Sequence, residues 1–379
     1  MKTIQVNTPA IGHRELFRVS QALLRSELSG ETQIVRRAEN GFSQILGGGH
    51  CSLVTNGTVA LELAFQCINL GPGDEVILPS LTIISCLLPI IKCGATPVFV
   101  DSNLQTWQPC IDEIESKITS NTKAVLYVHL YGLGEDLSEL SKICKSKGVI
   151  LIEDCSQAIG LKLNGRPAGT FGDLATFSFY PNKLVTSGEG GAVFSSNIEL
   201  VNRVKSLRNL SFVPEQRFIH YEFSSNSRIS GLQAALLYAQ LDSVEKFLRK
   251  RQLIARQYIE SLAHLPIEFQ PTETPSGKNI WWVVGVLFPR KSHPAQVFAE
   301  RLLNRGVQTR PFFYPLHLQP ALRKYFPRGI PRKHFPSGDN ALQLHERGLY
   351  LPGGNGLRLN KVKIVSARIR STYEEFLIA

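Results

Sequence analysis

The chain has 379 residues, enough for two or three domains at about 150 residues each. Hydrophobic residues make up 43% and charged residues 19%, which excludes a disordered, collagen-like or disulfide-scaffold protein. A net charge of +11 suits nucleic acid, anionic lipid or phosphorylated small molecules as partners, and does not choose among them.

The opening residues, Met1 to Asn7, contain no apolar signal core. The longest candidate for a membrane span, Val76 to Ile91, has sixteen uncharged residues broken by Pro79 and Pro89. A spanning helix needs about 20, so no membrane insertion is expected. Short apolar runs predict strands at Val76–Leu78, Pro97–Asp101, Lys123–His129 and Gly148–Asp154. Such near-continuous runs suit a sheet buried on both faces. Between the last two, Leu137, Leu140 and Ile143 line one face of a helix, with Asp136 at its start and Gly148 past its end. Strand and helix in alternation predict an α/β domain with a mostly parallel central sheet and helices on both faces. A long helix is expected from Ser230 towards Leu262. The boundary between a large domain (1–245) and a smaller α+β C-terminal domain (246–379) is placed inside it. Beyond lie a strand at Ile280–Phe288, a helix at Pro294–Asn304, an irregular loop at Pro327–Asp339 and a last helix at Val362–Thr372. The seven cysteines are scattered without a C-x-x-C pair, which predicts free thiols in a reducing cytoplasm.

Three stretches carry chemistry. Asn56-Gly57-Thr58 stands where a loop turns into a helix. Free N–H groups there, with the Thr hydroxyl, make a phosphate cradle; alone, the triplet also reads as a plain helix cap. Asp154 closes a buried strand in Ile152-Glu-Asp-Cys-Ser-Gln157. Ligands of open α/β sheets bind beyond the carboxyl ends of strands, and a carboxylate there needs a partner such as a protonated pyridine nitrogen. A strand-end Asp that caps the next helix is the plainer alternative. Lys183 follows Phe177-Ser178-Phe179-Tyr180 and precedes the glycine-rich Gly188 to Gly191. In a semi-apolar pocket its amine loses proton affinity and becomes a nucleophile; out of context it is a surface lysine before a turn.

These stretches occur in order with Gly71-Pro-Gly-Asp-Glu-Val-Ile77, Gly94-Ala-Thr-Pro-Val-Phe-Val-Asp101, Asn226-Ser-Arg-Ile-Ser-Gly-Leu-Gln-Ala-Ala235 and Thr309-Arg-Pro-Phe-Phe-Tyr-Pro-Leu-His317. Together they resemble the DegT/DnrJ/EryC/StrS family of pyridoxal-phosphate-dependent sugar aminotransferases, of fold type I, over essentially the whole chain. Thr309 to His317, Asn182-Lys183 and Thr106-Trp107 most resemble its GDP-perosamine synthase branch, which transaminates the C4 ketone of GDP-4-keto-6-deoxymannose for surface polysaccharide. The resemblance implies that Lys183 holds the cofactor covalently and then moves protons, and that Asp154 keeps the pyridine nitrogen protonated. It implies that Gln157 contacts the ring's 3-oxygen and that Gly57, Thr58 and Ser178 bind the phosphate. Asn226 matches a position that reaches the neighbouring subunit's cofactor, which implies a homodimer with shared active sites. Arg310 and His317 fall in the stretch placed near the sugar. The amino donor implied is glutamate. Two positions depart from the pattern: Ile83 replaces the usual aromatic residue on the ring, and Gln157 stands where many of that branch have Glu.

Other readings make different demands. A dehydratase of the same fold has His at the lysine position, which Lys183 opposes. An aminotransferase for a keto sugar without a nucleotide, such as an eight-carbon acidic sugar, satisfies the same motifs. A non-catalytic regulator or nucleic-acid binder draws on the +11 charge, but no helix-turn-helix, zinc spacing or RNA-binding aromatic motif accompanies it. His129 at a strand end reads as structural, Trp281-Trp282 as core and interface, and Arg36-Arg37 and Arg249-Lys-Arg251 as solvated faces.

Overall fold

A computed structural model describes residues 3–216, 218–289 and 295–378. Seven strands form the central sheet: β1 (His50–Val54), β2 (Glu75–Pro79), β3 (Thr96–Val100), β4 (Thr122–Val128), β5 (Ile150–Asp154), β6 (Leu174–Ser178) and β7 (Gly191–Ser195). Their spatial order is β1-β7-β6-β5-β4-β2-β3. The pairs from β6 through β5, β4 and β2 to β3 are parallel, whereas β7 runs antiparallel to both β1 and β6. All four strands expected in this half of the sequence are present. Their side chains are buried on both faces, as unbroken Val/Ile/Leu runs require.

Two hydrophobic cores flank this sheet, and strand alternation feeds both. Val125 and Tyr127 of β4 join one; Ala124, Leu126 and Val128 join the other. A third core gathers Ile254, Tyr258, Trp281, Val286, Leu302 and Val365 around a four-stranded antiparallel sheet. Ile4 belongs to this third core and pairs with Val307, so the N-terminal segment crosses to the C-terminal half. Gly354 admits that segment: its φ is +95°, and a Cβ there would stand 2.5 Å from the Thr8 carbonyl oxygen.

Four expectations need correction. The long helix is two, Gly231–Leu241 and Val244–Leu262, interrupted at Asp242-Ser243. Asp and Ser compete for backbone hydrogen bonds and favour helix ends. The strand expected at 280–288 is confined to Val284–Leu287. Trp281 takes φ +55° and the Ile280 N–H donates to Gly132, which pulls the preceding residues out of the sheet. The last helix spans Leu359–Ile378, longer than the expected Val362–Thr372. Arg251 is not on a solvated face: it lies on the buried side of its helix with Phe247, Leu248 and Ala255. The helix expected at Pro294–Asn304 runs Ala295–Asn304, its expected first residue lying outside the described residues. Pro327–Asp339 is irregular apart from one short turn at Arg332–His334. All seven cysteines are free. No helix among the described residues is long and apolar enough to cross a membrane.

Candidate active site

A cavity of about 630 Å³ opens at the carboxyl ends of the parallel strands. Because β7 runs the other way, its start and the preceding glycine-rich turn lie at this same edge. The sheet thus brings together residues more than a hundred positions apart.

At the end of β1 the chain enters the helix Gly57–Cys67. Asn56 Oδ1 accepts the Val59 N–H at 2.9 Å and caps it. The first N–H groups of a helix have no partner within it. Among the described residues none engages those of Gly57 and Thr58, and both residues line the cavity. Gly57 packs so closely on β6 that a Cβ would lie 2.8 Å from that of Ser178. Thr58 Oγ1 lies 2.8 Å from Ser85 Oγ. The helix terminus and the Ser178 hydroxyl therefore converge in a cup suited to a phosphate.

Asp154, the last residue of β5, is 2% exposed. Its Oδ1 accepts the Ser156 N–H at 2.9 Å and its Oδ2 accepts the Cys86 thiol at 3.3 Å. Gln157 Oε1 accepts the Tyr131 N–H at 2.7 Å. With the amide oxygen so committed, the Gln157 NH₂ is the group left to donate to a ligand. Lys183 sits in the loop between β6 and β7, its Nζ 4.2 Å from the centre of the Trp282 ring. Burial pushes its pKa down to about 8, although Asp154 and Cys86 act in the opposite direction. Ile83 lines the mouth and is partly exposed.

Gly57, Thr58, Ile83, Asp154, Gln157, Ser178, Lys183 and Arg310 all line this one cavity. His317 and Asn226 do not. His317 Nδ1 lies 2.6 Å from Ser80 Oγ, and its ring packs near Phe99 and Phe335. Burial and then Lys117 pull its pKa down to about 4, so the ring is neutral at pH 7. Asn226 is exposed and bridges Asn209. His129 is structural: its Nε2 lies 2.9 Å from Glu153 Oε2, and both residues are fully buried. Glu153 also accepts the N–H groups of Gly169, Phe171 and Gly172. Asp154 and Glu153, adjacent in β5, point to opposite faces and do opposite jobs.

Trp282 is the residue that sequence reasoning missed as part of the site. Core burial was expected and holds, but its ring also forms the wall against Lys183, and its Nε1 donates to the Asn182 carbonyl. Tyr350 and Phe313 reach the cavity from the C-terminal half in the same way. Cys86, one of the scattered free thiols, backs the carboxylate of Asp154.

The pieces fit pyridoxal phosphate: an anion cup, a buried carboxylate for a protonated ring nitrogen, an amide donor and a lysine of lowered proton affinity. Such a site on this sheet defines a fold type I aminotransferase. The chain belongs to the DegT/DnrJ/EryC1/StrS aminotransferase family, whose model matches residues 9–370. It is a pyridoxal-phosphate-dependent sugar aminotransferase. It is 33% identical over 374 residues to the GDP-perosamine synthase of Vibrio cholerae, covering 98% of this chain and 99% of that one. The Escherichia coli GDP-perosamine synthase is 33% identical over 375 residues, 99% and 100% of the two chains. Among solved structures, the aminotransferase TlmJ from Streptoalloteichus hindustanus superposes with a TM-score of 0.90 at 28% identity, covering 99% and 100%. S. venezuelae DesV gives 0.84 at 31%, covering 94% of this chain and 93% of that one.

Proposed function

We propose that this enzyme transfers the amino group of glutamate to the C4 ketone of a GDP-linked 4-keto-6-deoxy sugar such as GDP-4-keto-6-deoxymannose. The observation that carries the substrate is the end-to-end similarity to GDP-perosamine synthases from two bacteria. The product would serve surface polysaccharide. The free cysteines suit a reducing, cytoplasmic location.

When bound, pyridoxal phosphate supplies an electron sink for the carbon that loses its proton. The Lys183 amine would hold the cofactor, and it is the base placed to take a proton from the substrate carbon and return it nearby. Asp154 would keep a proton on the ring nitrogen. Gln157, through its NH₂, would donate to the ring oxygen, against which a Glu would set a second negative charge. The Gly57 and Thr58 N–H groups and the Ser178 hydroxyl would hold the phosphate. Ile83, at the mouth, would face the ring without the roughly 0.5–1.5 kcal/mol that an aromatic pair adds. Arg310, on the cavity wall, would border the sugar, and His317, outside the cavity, holds Ser80.

The functional unit is a homodimer with shared sites. Support comes from exposed apolar residues that a monomer leaves in water: Leu16, Phe17 and Leu24 on the helix His13–Leu24, Ile83 and Leu88 on the cavity wall with Ile84 next to Ile83 in sequence, and Phe223. Asn226, three residues from Phe223 and outside its own cavity, would reach the partner's cofactor. The division into domains 1–245 and 246–379 draws on the third core, with Ile4 joining it from one side and Phe247, Leu248, Trp282, Phe312 and Tyr350 joining the two sheet cores from the other.

The substrate is tested with GDP-, UDP-, dTDP- and CMP-linked keto sugars and a free eight-carbon acidic keto sugar, each with glutamate. Mass spectrometry should find the amino sugar with the GDP-linked ketone; transfer only to another acceptor would overturn the assignment. A second outcome follows from the lowered proton affinity of Lys183. The neutral amine is the nucleophile, and it prevails above the pKa of about 8. Reconstitution of the apoenzyme should therefore accelerate about tenfold per pH unit below 8 and level off above it. Stopped-flow absorbance would read this. Acceleration continuing towards pH 10 would mean an ordinary, solvated lysine.

A further inference from the structure

The loop that carries Lys183 borders open space twice. Besides the large cavity, a second one of about 220 Å³ lies against it, and Tyr180 and Asn182 line both. A segment next to two voids lacks packing partners on those sides, so hydrogen bonds must fix it. Its own backbone supplies few. The Lys183 N–H donates to the Tyr180 carbonyl and the Ser187 N–H to that of Phe179. Among the described residues no backbone N–H reaches the carbonyls of Pro181, Asn182 and Leu184. Side chains at least 69 positions away in sequence hold them instead. Asn7 Nδ2 donates to the Pro181 carbonyl at 3.0 Å and Asn355 Nδ2 to that of Leu184 at 2.6 Å. The Asn182 carbonyl accepts Trp282 Nε1 at 3.0 Å and Arg251 Nη2 at 3.4 Å. Arg251 ties these grips together: its Nε donates to Asn355 Oδ1 at 3.0 Å and its Nη1 to the Trp282 carbonyl at 2.8 Å. One planar guanidinium thus reaches the loop, the indole that walls Lys183 and the amide that holds the loop's far side. Arg251 is 3% exposed and all three of its acceptors are neutral. A buried cation without a counter-charge is costly, and burial lowers its pKa to about 10. What the guanidinium offers in return is a set of donors in fixed directions.

We infer that Arg251 is a positioning residue for Lys183, the hub of a clamp in which Arg251, Asn355 and Asn7 grip the carbonyls on both sides of the lysine. The inference rests on the reading of Lys183 as the reacting amine. The clamp acts through the backbone and touches none of the reacting atoms. The Gly353 N–H donates to the Val6 carbonyl and the Thr8 N–H to that of Gly353, so the turn that carries Asn355 also seats the segment that carries Asn7. The consequence is chemical. Lys183 is a nucleophile near neutral pH only while burial disfavours its ammonium form. A loop that slackens into the small cavity draws the amine away from Trp282 and admits water to it. The amine then regains proton affinity and stands off the position from which it moves protons, and a displacement of about 1 Å is enough to cost about 100-fold in rate.

The titration of Lys183 is read on the full-length apoenzyme, without cofactor or substrate, from the pH dependence of its acetylation by acetic anhydride, followed by peptide mass spectrometry. Wild type should give a midpoint of about 8. Arg251→Gln should raise that midpoint by at least about one pH unit. In the holoenzyme it should lower kcat by about 10- to 100-fold and leave the KM for the nucleotide sugar within about twofold. Arg251→Lys keeps the charge but has no fork to span the loop, the indole and Asn355, and it should restore neither value. Asn7→Ala removes a single grip and should move the midpoint the same way by less; it decides the matter if the Arg251 variants do not fold. A residue that merely ties the two halves together would lower the melting temperature and leave the Lys183 midpoint in place. That result in folded Arg251→Gln, or in Asn7→Ala where the former does not fold, would overturn the clamp, as would a change confined to KM. Borohydride that left residue 183 of the wild-type holoenzyme unlabelled would instead remove the reading on which the clamp rests.

Discussion

Lys183→Ala is expected to abolish amine transfer, lowering turnover by at least about 10⁴-fold, while the protein stays folded. General acid–base catalysis alone contributes about 10²–10⁴, and in the proposed mechanism this one amine would also carry the cofactor. Folding should survive because the Nζ packs on the Trp282 ring and makes no hydrogen bond among the described residues. Burial disfavours its charge, so truncation also removes a desolvation cost. The checks are independent of turnover. Borohydride treatment of the wild-type holoenzyme should add one cofactor at residue 183, found by peptide mass spectrometry. The variant should bind the cofactor reversibly, lose it on dialysis and show an unchanged melting temperature. Turnover within tenfold of wild type would remove Lys183 from the mechanism.

Which parts of the site are legible in the sequence follows from where each residue gets its position. Asp154, Lys183 and Gly57 are fixed by local structure: a strand end, the loop between paired strands, a helix start. Each carries its context in a few neighbouring letters, and their order along the chain adds the rest. Trp282, Tyr350 and Arg251 carry no such context. They reach the cavities from the C-terminal half by long-range packing, and a tryptophan or arginine there reads as core or surface. Arg251 shows the limit well, because Arg-Lys-Arg spells a solvated face while helical phase turns one of the three inward. The interruption at Asp242-Ser243 was visible as composition but was outweighed by apolar residues on both sides. The return of Ile4 to the third core had no signal, since a single strand-like bridge has no pattern of its own. His317 and Asn226 were placed through the resemblance alone. That the monomer's cavity includes neither is what a dimeric site, for Asn226, and a supporting position behind Ser80, for His317, would give.

Asp154→Asn should keep the cofactor bound yet lower turnover by about 10- to 1000-fold. A carboxylate beside a protonated nitrogen favours the charged form by about 1–3 pKa units, and a neutral amide surrenders that preference. Less of the ring is then protonated, and the electron sink weakens in proportion. The phosphate cup and Lys183 remain, so cofactor content should be near normal. The shape is nearly unchanged: Asn Oδ1 can still accept the Ser156 N–H, although the Cys86 thiol then competes with an amide donor. The ¹⁵N chemical shift of labelled cofactor reads the cause directly, with the ring nitrogen protonated in wild type and not in the variant. A melting experiment on the adjacent residue supplies the contrast. Glu153→Gln faces away from the cavity and disturbs a carboxylate that accepts three backbone N–H groups and touches His129. It should lower thermal stability by about 1–3 kcal/mol and leave the ring nitrogen protonated. If both variants lost turnover equally with the ¹⁵N shift unmoved, Asp154 would be a structural residue, and the electron sink would owe nothing to its charge.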